Sequence, residues 1–262
     1  MPFADVGDVR LFYTDEGAGD LPLLLVHGYA ADSHDWSWQL PSFVASRRVI
    51  SVDLRGHGRS SAPPKGYTTR QFAEDLAGLL DQLGVGRVVA LGHSMGGSVV
   101  SGLAVEYPDR VAGIVAVDPA YLFPDEIAGG IQPMLDLIAD ADPVPFVQQL
   151  VGGGMDSAAR QPALRTWQLR RIAGMDAHVL RQSLEAQTSG MALRSQSEPY
   201  LLRRRCPVLT FYADPARAAT ERALFDDPRS RVVTWEGAGH WLHQERPAEF
   251  NAIVAAWLTS VV

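Results

Sequence analysis

The feature that most constrains this chain is an alternation. Short strand-like runs rich in valine, leucine and isoleucine lie at residues 21–26, 49–53, 88–91, 114–117, 208–212 and 231–235. Several are apolar without interruption. A strand with one face in water alternates polar and apolar residues, whereas a strand buried on both faces does not. Between the runs, apolar residues return at helical spacing, around 36–45, 69–83, 95–106 and 247–258. Strand and helix in strict alternation imply βαβ units and a mostly parallel sheet with helices on both faces. Residues 3–6 and 9–14, joined by Gly7-Asp8, read as a preceding hairpin. The expected class is α/β.

One stretch breaks the rhythm. From 120 to 205 there is no convincing strand, only helical patterns at 131–139, 144–150, 163–172 and 177–187, with a hinge or loop at Gly152-Gly153-Gly154. The reading is a core of residues 1–119 and 206–262, with a helical cap of residues 120–205 inserted after the sixth strand. A single domain of 262 residues is ordinary for such a fold. The net charge of −7 gives no reason to expect nucleic acid or an anionic membrane as partner. Arg203-Arg204-Arg205 reads as a solvated helix end. Cys206 is the only cysteine, so an intrachain disulfide is impossible, and its place at the head of an apolar run marks a buried small hydrophobe. The first ten residues, MPFADVGDVR, do not read as a signal peptide. No segment reaches the roughly 18 apolar residues of a membrane span. A cytoplasmic protein is expected.

Gly92-His93-Ser94-Met95-Gly96 sits directly after one apolar run and directly before a helical pattern. Glycines there weaken both elements, so the turn must need them. A nucleophile elbow does: it is so sharp that the residues two before and two after the serine must lack side chains. It would hold the Ser94 hydroxyl at the carboxyl edge of the sheet, where open α/β sheets bind ligands, against a helix N-terminus. The plainer reading is a structural turn that contains a serine. A serine hydroxyl needs a base. Of the seven histidines, His240 follows the last strand and precedes the last helix, so it shares that edge. His243 reads as a helix-start residue, and His34, His57 and His178 have no comparable placement. In His27-Gly28-Tyr29, after the third strand, His27 reads as a structural histidine bonding the loop. The backbone N–H groups of Tyr29 and Met95 would form an oxyanion hole.

With these pieces quoted, the chain resembles the α/β-hydrolase superfamily, in its esterase, lactonase and haloperoxidase-like branch. The matching stretches are LLLVHGYAADSHDW, VDLRGHGRSS, LGHSMGG, YPDRVAGIVAVDPA and GAGHWLHQERP. They cover both ends of the chain and leave the cap unmatched. The resemblance implies eight strands, a serine–histidine–acid triad and no cofactor. It also reads RGHGRS as a turn and not a dinucleotide loop. The commonest pattern puts the acid in a Gly-X-X-Asp turn after the strand PVLTFY, but here Ala213 and Ala216 fall on the glycine and the acid. Asp214 could serve if that loop is shortened. Asp118, at the end of the preceding strand, is the other place known in the family, and is the one favoured here.

Ser94, His240 and one of these aspartates point to a carboxylic ester or lactone hydrolase working through an acyl-enzyme. A C–C bond hydrolase, a haloperoxidase-type perhydrolase and a non-catalytic receptor of this fold are the alternatives. No HExxH or HxHxDH spacing supports a metal. Tyr121, Phe123, Phe146, Trp167, Met134, Met155, Met175 and Met191 make the cap apolar and adaptable. Trp36, Trp38 and Trp241 join them near the site. The substrate-binding set is expected to include Trp36, Tyr121, Phe123, Trp167 and Trp241, and the substrate to be bulky and hydrophobic.

Overall fold

The computed structural model describes residues 2–153 and 162–261, so Gly154 and Met155 lie outside the described residues. Eight strands form one sheet: β1 (Phe3–Val6), β2 (Val9–Glu16), β3 (Leu23–Val26), β4 (Val49–Val52), β5 (Val88–His93), β6 (Val111–Val117), β7 (Val208–Tyr212) and β8 (Arg231–Thr234). Their order across the sheet is β1-β2-β4-β3-β5-β6-β7-β8. β1 runs antiparallel to β2 and β2 antiparallel to β4; all other pairs are parallel. The expected α/β architecture is therefore the observed one.

The helices are α1 (Leu40–Val44), α2 (Thr69–Gln82), α3 (Met95–Glu106), α4 (Ala128–Ala139), α5 (Pro143–Gly153), α6 (Pro162–Ala173), α7 (Ala177–Gly190), α8 (Arg194–Leu201), α9 (Pro215–Arg222), α10 (Leu242–Glu245) and α11 (Pro247–Leu258). Two cores follow from the period-2 alternation of the strands. Leu24, Val26, Ile50, Val52 and Ala90 face α2 and α3 through Phe72, Leu76, Leu80, Val99 and Leu103. Leu23, Leu25, Val49, Val89 and Leu91 face the other way, toward Phe250, Val254 and Trp257 of α11. Each such side chain contributes about 1.5–3 kcal/mol on leaving water. Thr68 caps α2 by accepting from Gln71 N at 3.2 Å, and the helix then buries the stripe Phe72, Leu76, Leu79 and Leu80.

Some boundaries differ from expectation. The single helix expected over 36–45 is a 3₁₀ turn at Ser33–Trp36 followed by α1, because Pro41 has no N–H with which to continue a helix from residue 36. Gly152 and Gly153, expected as a hinge, continue α5. Helices α8, α9 and α10 were not expected. Between β6 and β7 the described residues contain helices α4–α8 and a single β-bridge, Phe123 to Leu193. Phe123 N donates to Ala192 O at 2.9 Å and Arg194 N to Phe123 O at 2.8 Å, so the start of this segment is tied to its end. Val147 and Val151 of α5, Ile172 of α6 and Leu180 of α7 pack with Ala30 and Trp241, from the loops after β3 and β8. The helical segment thus lies on the carboxyl edge of the sheet. Among the described residues no helix is long and apolar enough to cross a membrane.

Candidate active site

The strand order reverses around β3. The chain passes from β3 to β4 on one side and next enters the sheet as β5 on the other. Loops leaving neighbouring parallel strands in opposite directions open a crevice at their carboxyl ends. Val26 of β3 pairs with Gly92 of β5, so the crevice has the loop at Gly28-Tyr29 on one wall and Ser94 on the other.

The turn at Ser94 is as tight as the sequence implies. A methyl on Gly92 would lie 2.2 Å from Gly96 O, and one on Gly96 would lie 2.4 Å from Val26 O. Ser94 itself takes φ 52°, ψ −118°, a conformation that costs a non-glycine residue about 1–3 kcal/mol. Among the described residues, three other non-glycine residues have positive φ, namely Ala30, Asp118 and Leu122. All four follow the carboxyl ends of β3, β5 or β6, so backbone strain is concentrated at this edge. Two hydrogen bonds hold the elbow to the exit of β6: Ser94 N to Val117 O at 2.9 Å and Ala120 N to Ser94 O at 3.0 Å.

That exit carries Asp118. Its Oδ2 accepts from His240 Nδ1 at 2.6 Å, and its Oδ1 accepts from Arg217 Nη1 at 3.0 Å. The pair is mostly sheltered, with side chains 11% and 12% exposed. Burial alone would raise the Asp118 pKa, but the His240 hydrogen bond and the charges of His240 and Arg217 outweigh it, so the carboxyl stays below the usual carboxylate range. The loop of His240 is fixed from both sides. Gly239 N donates to Glu245 Oε1 at 2.8 Å, and His240 O accepts from His93 Nε2 at 3.1 Å. Because Nδ1 keeps its proton and donates it in a hydrogen bond to the carboxylate, the neutral ring leaves Nε2 bare.

Asp214, the other candidate acid, does different work. It accepts from Ala216 N at 2.8 Å and Arg217 N at 3.4 Å, capping the N-terminus of α9. The backbone of Tyr29 lies beside the elbow, since a methyl on Gly28 would come 3.2 Å from Ser94 Cβ. The Tyr29 hydroxyl donates to Leu180 O of α7 at 2.8 Å. Met95 opens α3, where the first N–H groups have no partner within the helix. His27 donates from Nδ1 to Gly28 O at 2.8 Å and accepts at Nε2 from Leu54 N at 3.0 Å, holding the loop.

The aromatic residues separate. Trp241 lies against His240 and His93, with ring centroids 5.1 and 5.5 Å away, under the cluster from α5, α6 and α7. Phe123 is half-buried, with the Arg217 guanidinium 4.2 Å from its ring centre. Trp167 is half-buried and packs on Trp38, His34 and Arg171. Two expectations are corrected. Trp36 is fully buried in the core against His243 and Phe250, because its turn points back under the sheet. Tyr121 is fully buried with its hydroxyl bonded to Glu221 Oε1 at 2.8 Å. Neither offers a surface to a substrate.

Sequence reasoning missed Arg217, Asp35, His93 and Arg171 as neighbours of the site. Asp35 lies inside SHDW after β3, and Asp214-Pro215 was a readable helix start that would have put Arg217 three residues on, in the first turn. Among the described residues no group of three or more His, Cys, Asp or Glu is arranged to hold a metal ion.

Comparison with known proteins gives the family. Residues 23–253 match the sequence profile described as "Alpha/beta hydrolase family". Epoxide hydrolase A of Mycobacterium tuberculosis is 28% identical over 317 aligned positions, covering 98% of this chain and 96% of that protein. The structure of a thermophilic esterase from Thermogutta terrifontis superposes with a TM-score of 0.81 at 28% identity, covering 97% of this chain and 94% of that one. The enol-lactonase from Burkholderia xenovorans LB400 superposes at 0.84 with 24% identity, covering 98% and 100%, a likeness of fold alone.

Proposed function

The chain belongs to the alpha/beta hydrolase family and is a hydrolase, and from that premise we propose that it cleaves carboxylic esters or lactones of bulky hydrophobic substrates through an acyl-enzyme on Ser94. The observation that carries the reading is the 2.6 Å bond from His240 Nδ1 to Asp118 Oδ2, set beside a serine on a strained elbow. Ser94 Oγ attacks the carbonyl carbon while its proton passes to His240 Nε2. Asp118 holds the ring in that tautomer and stabilises the imidazolium without taking the proton. The backbone N–H groups of Tyr29 and Met95 receive the oxyanion, a contribution of about 3–4 kcal/mol per donor in comparable sites. The tetrahedral intermediate collapses, and the alcohol leaves with the proton from His240. Water, activated by the same imidazole, then releases the acid.

Related hydrolases include one named for epoxides. Epoxide opening through an alkyl-enzyme needs a carboxylate nucleophile, and the elbow here carries a hydroxyl, which favours acyl transfer. The apolar cluster of Val147, Val151, Ile172, Leu180 and Trp241 above His240 favours a hydrophobic acyl or lactone ring. On this reading α4–α8 are a cap that selects substrate, with Trp241, Phe123 and Trp167 as its candidate contacts.

The test is covalent labelling with a fluorophosphonate, together with turnover of p-nitrophenyl esters and lactones of increasing size. The expected result is one adduct on Ser94 and hydrolysis that Ser94→Ala reduces to background while leaving the unfolding transition in place. No adduct on Ser94, or turnover of epoxides without esters, overturns the proposal.

A further inference from the structure

Arg217 is a charged residue that sequence patterning gives no reason to bury, yet it is 6% exposed. Its guanidinium reaches three points of one short loop. Nη1 donates to Asp118 Oδ1 at 3.0 Å; Nη2 donates to Tyr121 O at 3.0 Å and also to Pro119 O. Its faces rest near the rings of Phe123 and Tyr212, 4.2 and 4.9 Å from their centres. Asp118 and Leu122, at the two ends of the clamped stretch, have φ of 37° and 57°. Strained backbone of this kind persists only where its surroundings hold it.

We infer that Arg217 is a positioning residue for the proposed acid–base pair: it occupies one carboxylate oxygen of Asp118, so that only the other is presented to His240, and its charge limits how strongly that carboxylate stabilises the protonated imidazole. The inference rests on the acyl-enzyme reading and adds a residue to it. It also explains the departure at 213–216, where the segment after β7 supplies, from the first turn of α9, the acid's counter-ion and not the acid. Asp214 sets this up by capping α9, which turns Arg217 inward in the first turn of the helix.

Other charged and titratable groups face the pair. His93 lies at the end of β5, with its ring 4.7 Å from that of His240. His243 and Glu245 come from α10, Tyr212 from β7, and Asp35 with Arg171 stand behind His93. Of these, Tyr212 also feels the Arg217 charge, but burial keeps its hydroxyl well above its ordinary range and out of the acid limb, so a displaced acid limb belongs to the Asp118–His240 pair.

The experiment compares Arg217→Gln, which is neutral, with Arg217→Lys, which keeps the charge but not the fork. Two readouts are taken: kcat/KM against pH, and the imidazole N–H proton signal of His240 in the free enzyme. The second needs no turnover. It separates failure of this inference from failure of the acyl-enzyme reading, which loss of fluorophosphonate labelling in the wild type reports. Removing a full charge at this range moves a titration by about one pH unit or more. In Arg217→Gln the acid limb moves to higher pH by about that much, and the N–H signal follows it, because the unneutralised carboxylate favours the imidazolium. In Arg217→Lys the limb stays near its wild-type position, while kcat falls about tenfold or more with KM little changed, the loss of a geometry-fixing contact near the chemistry. A limb in folded Arg217→Gln that coincides with wild type overturns the inference. If that variant does not fold, an unchanged kcat in Arg217→Lys overturns it.

Discussion

Two buried aspartates in this protein face a histidine and carry an arginine, and they differ in every detail that matters. Asp118 accepts a hydrogen bond from His240 Nδ1 at 2.6 Å, with Arg217 of α9 on its other oxygen. Asp35 has Arg171 of α6 on Oδ1 at 2.8 Å, and its Oδ2 stands 3.4 Å from His93 Nδ1 without a hydrogen bond. The tautomers account for the gap. His93 sits next to Ser94 in the chain, but its Nε2 donates to His240 O, so in the neutral ring Nδ1 has no proton to offer Asp35. His240 directs its one N–H at the carboxylate and keeps Nε2 bare. Exposure differs too: 12% for the His240 side chain and 1% for that of His93. The same three residue types therefore make, on the proposed reading, an acid–base pair in one place and an internal strut in the other. Type and proximity do not make a base; the direction of one N–H and a path to solvent do.

The largest expected difference lies in the aspartates. Asp118→Asn puts an amide donor against the Nδ1–H and favours the wrong tautomer, so kcat should fall about 10³- to 10⁴-fold, as for the equivalent change in a serine protease. Asp35→Asn should leave kcat of the folded enzyme within about one power of ten and act on stability. Burial alone would raise the Asp35 pKa, but the charge of Arg171 outweighs it and holds the carboxyl well below the usual range. Breaking such a buried pair costs about 3–5 kcal/mol, and the lower end applies because Asp32 Oδ1 still faces Arg171 Nη1 at 3.1 Å. Denaturant midpoints and single-turnover rates on the two variants decide it. Equal losses of kcat would erase the distinction.

A smaller effect separates them by pH. Burial pushes His93 down, pushes His57 down to about 3 and holds His243 well below the ordinary value. For a histidine depressed on folding, the unfolded chain binds more protons between the folded value and about 6.5, so stability rises with pH across that window and is complete above it. Each of these three histidines then contributes a slope of up to about 1.4 kcal/mol per pH unit below 6.5. Urea unfolding between pH 4 and pH 8 measures it. Stability that stays level on acidification to about pH 5 would mean that these rings are charged in the folded protein.

The contrast also marks what local sequence patterns convey. Buried strands such as Leu23–Val26 and Val88–His93 are legible because burial on both faces writes a continuous apolar run. The elbow is legible because its glycines stand at fixed spacing around Ser94. Helix α9 shows only its start, at Asp214-Pro215, since its inward face carries Arg217 and Glu221, which invert the apolar stripe that a helix normally shows. Glu221 is fully buried, accepting from Tyr121, Tyr212 and Arg204 at 2.8 to 2.9 Å. Charges that satisfy one another inside the fold look like solvated surface in the sequence. Which aspartate meets His240 was open for a related reason. That contact spans 122 positions of chain, and no local pattern fixes it. Trp36 failed the other way: an aromatic close in sequence to the site loops was read as lining the site, and it packs beneath the sheet.

The smallest effect belongs to Asp214, the carboxylate that could take the usual family place only if its loop were shortened. It is half-buried and bonded to two backbone N–H groups at the start of α9. Asparagine caps a helix about as well as aspartate, so Asp214→Asn loses only the interaction of the charge with the helix N-terminus, about 0.3–1 kcal/mol. Asp214→Ala loses the cap bond too, about 1 kcal/mol in all. In both, kcat should stay near wild type, because the carboxylate that meets His240 is untouched. Alanine carries one further expectation. If capping by Asp214 is what turns Arg217 toward Asp118, fraying the first turn loosens the clamp, and Asp214→Ala should show a faint form of the Arg217→Gln displacement of the acid limb where Asp214→Asn shows none. A pH–rate profile on the two variants reads that difference directly. A loss of kcat in Asp214→Asn approaching that of Asp118→Asn would instead return the acid to the loop after β7.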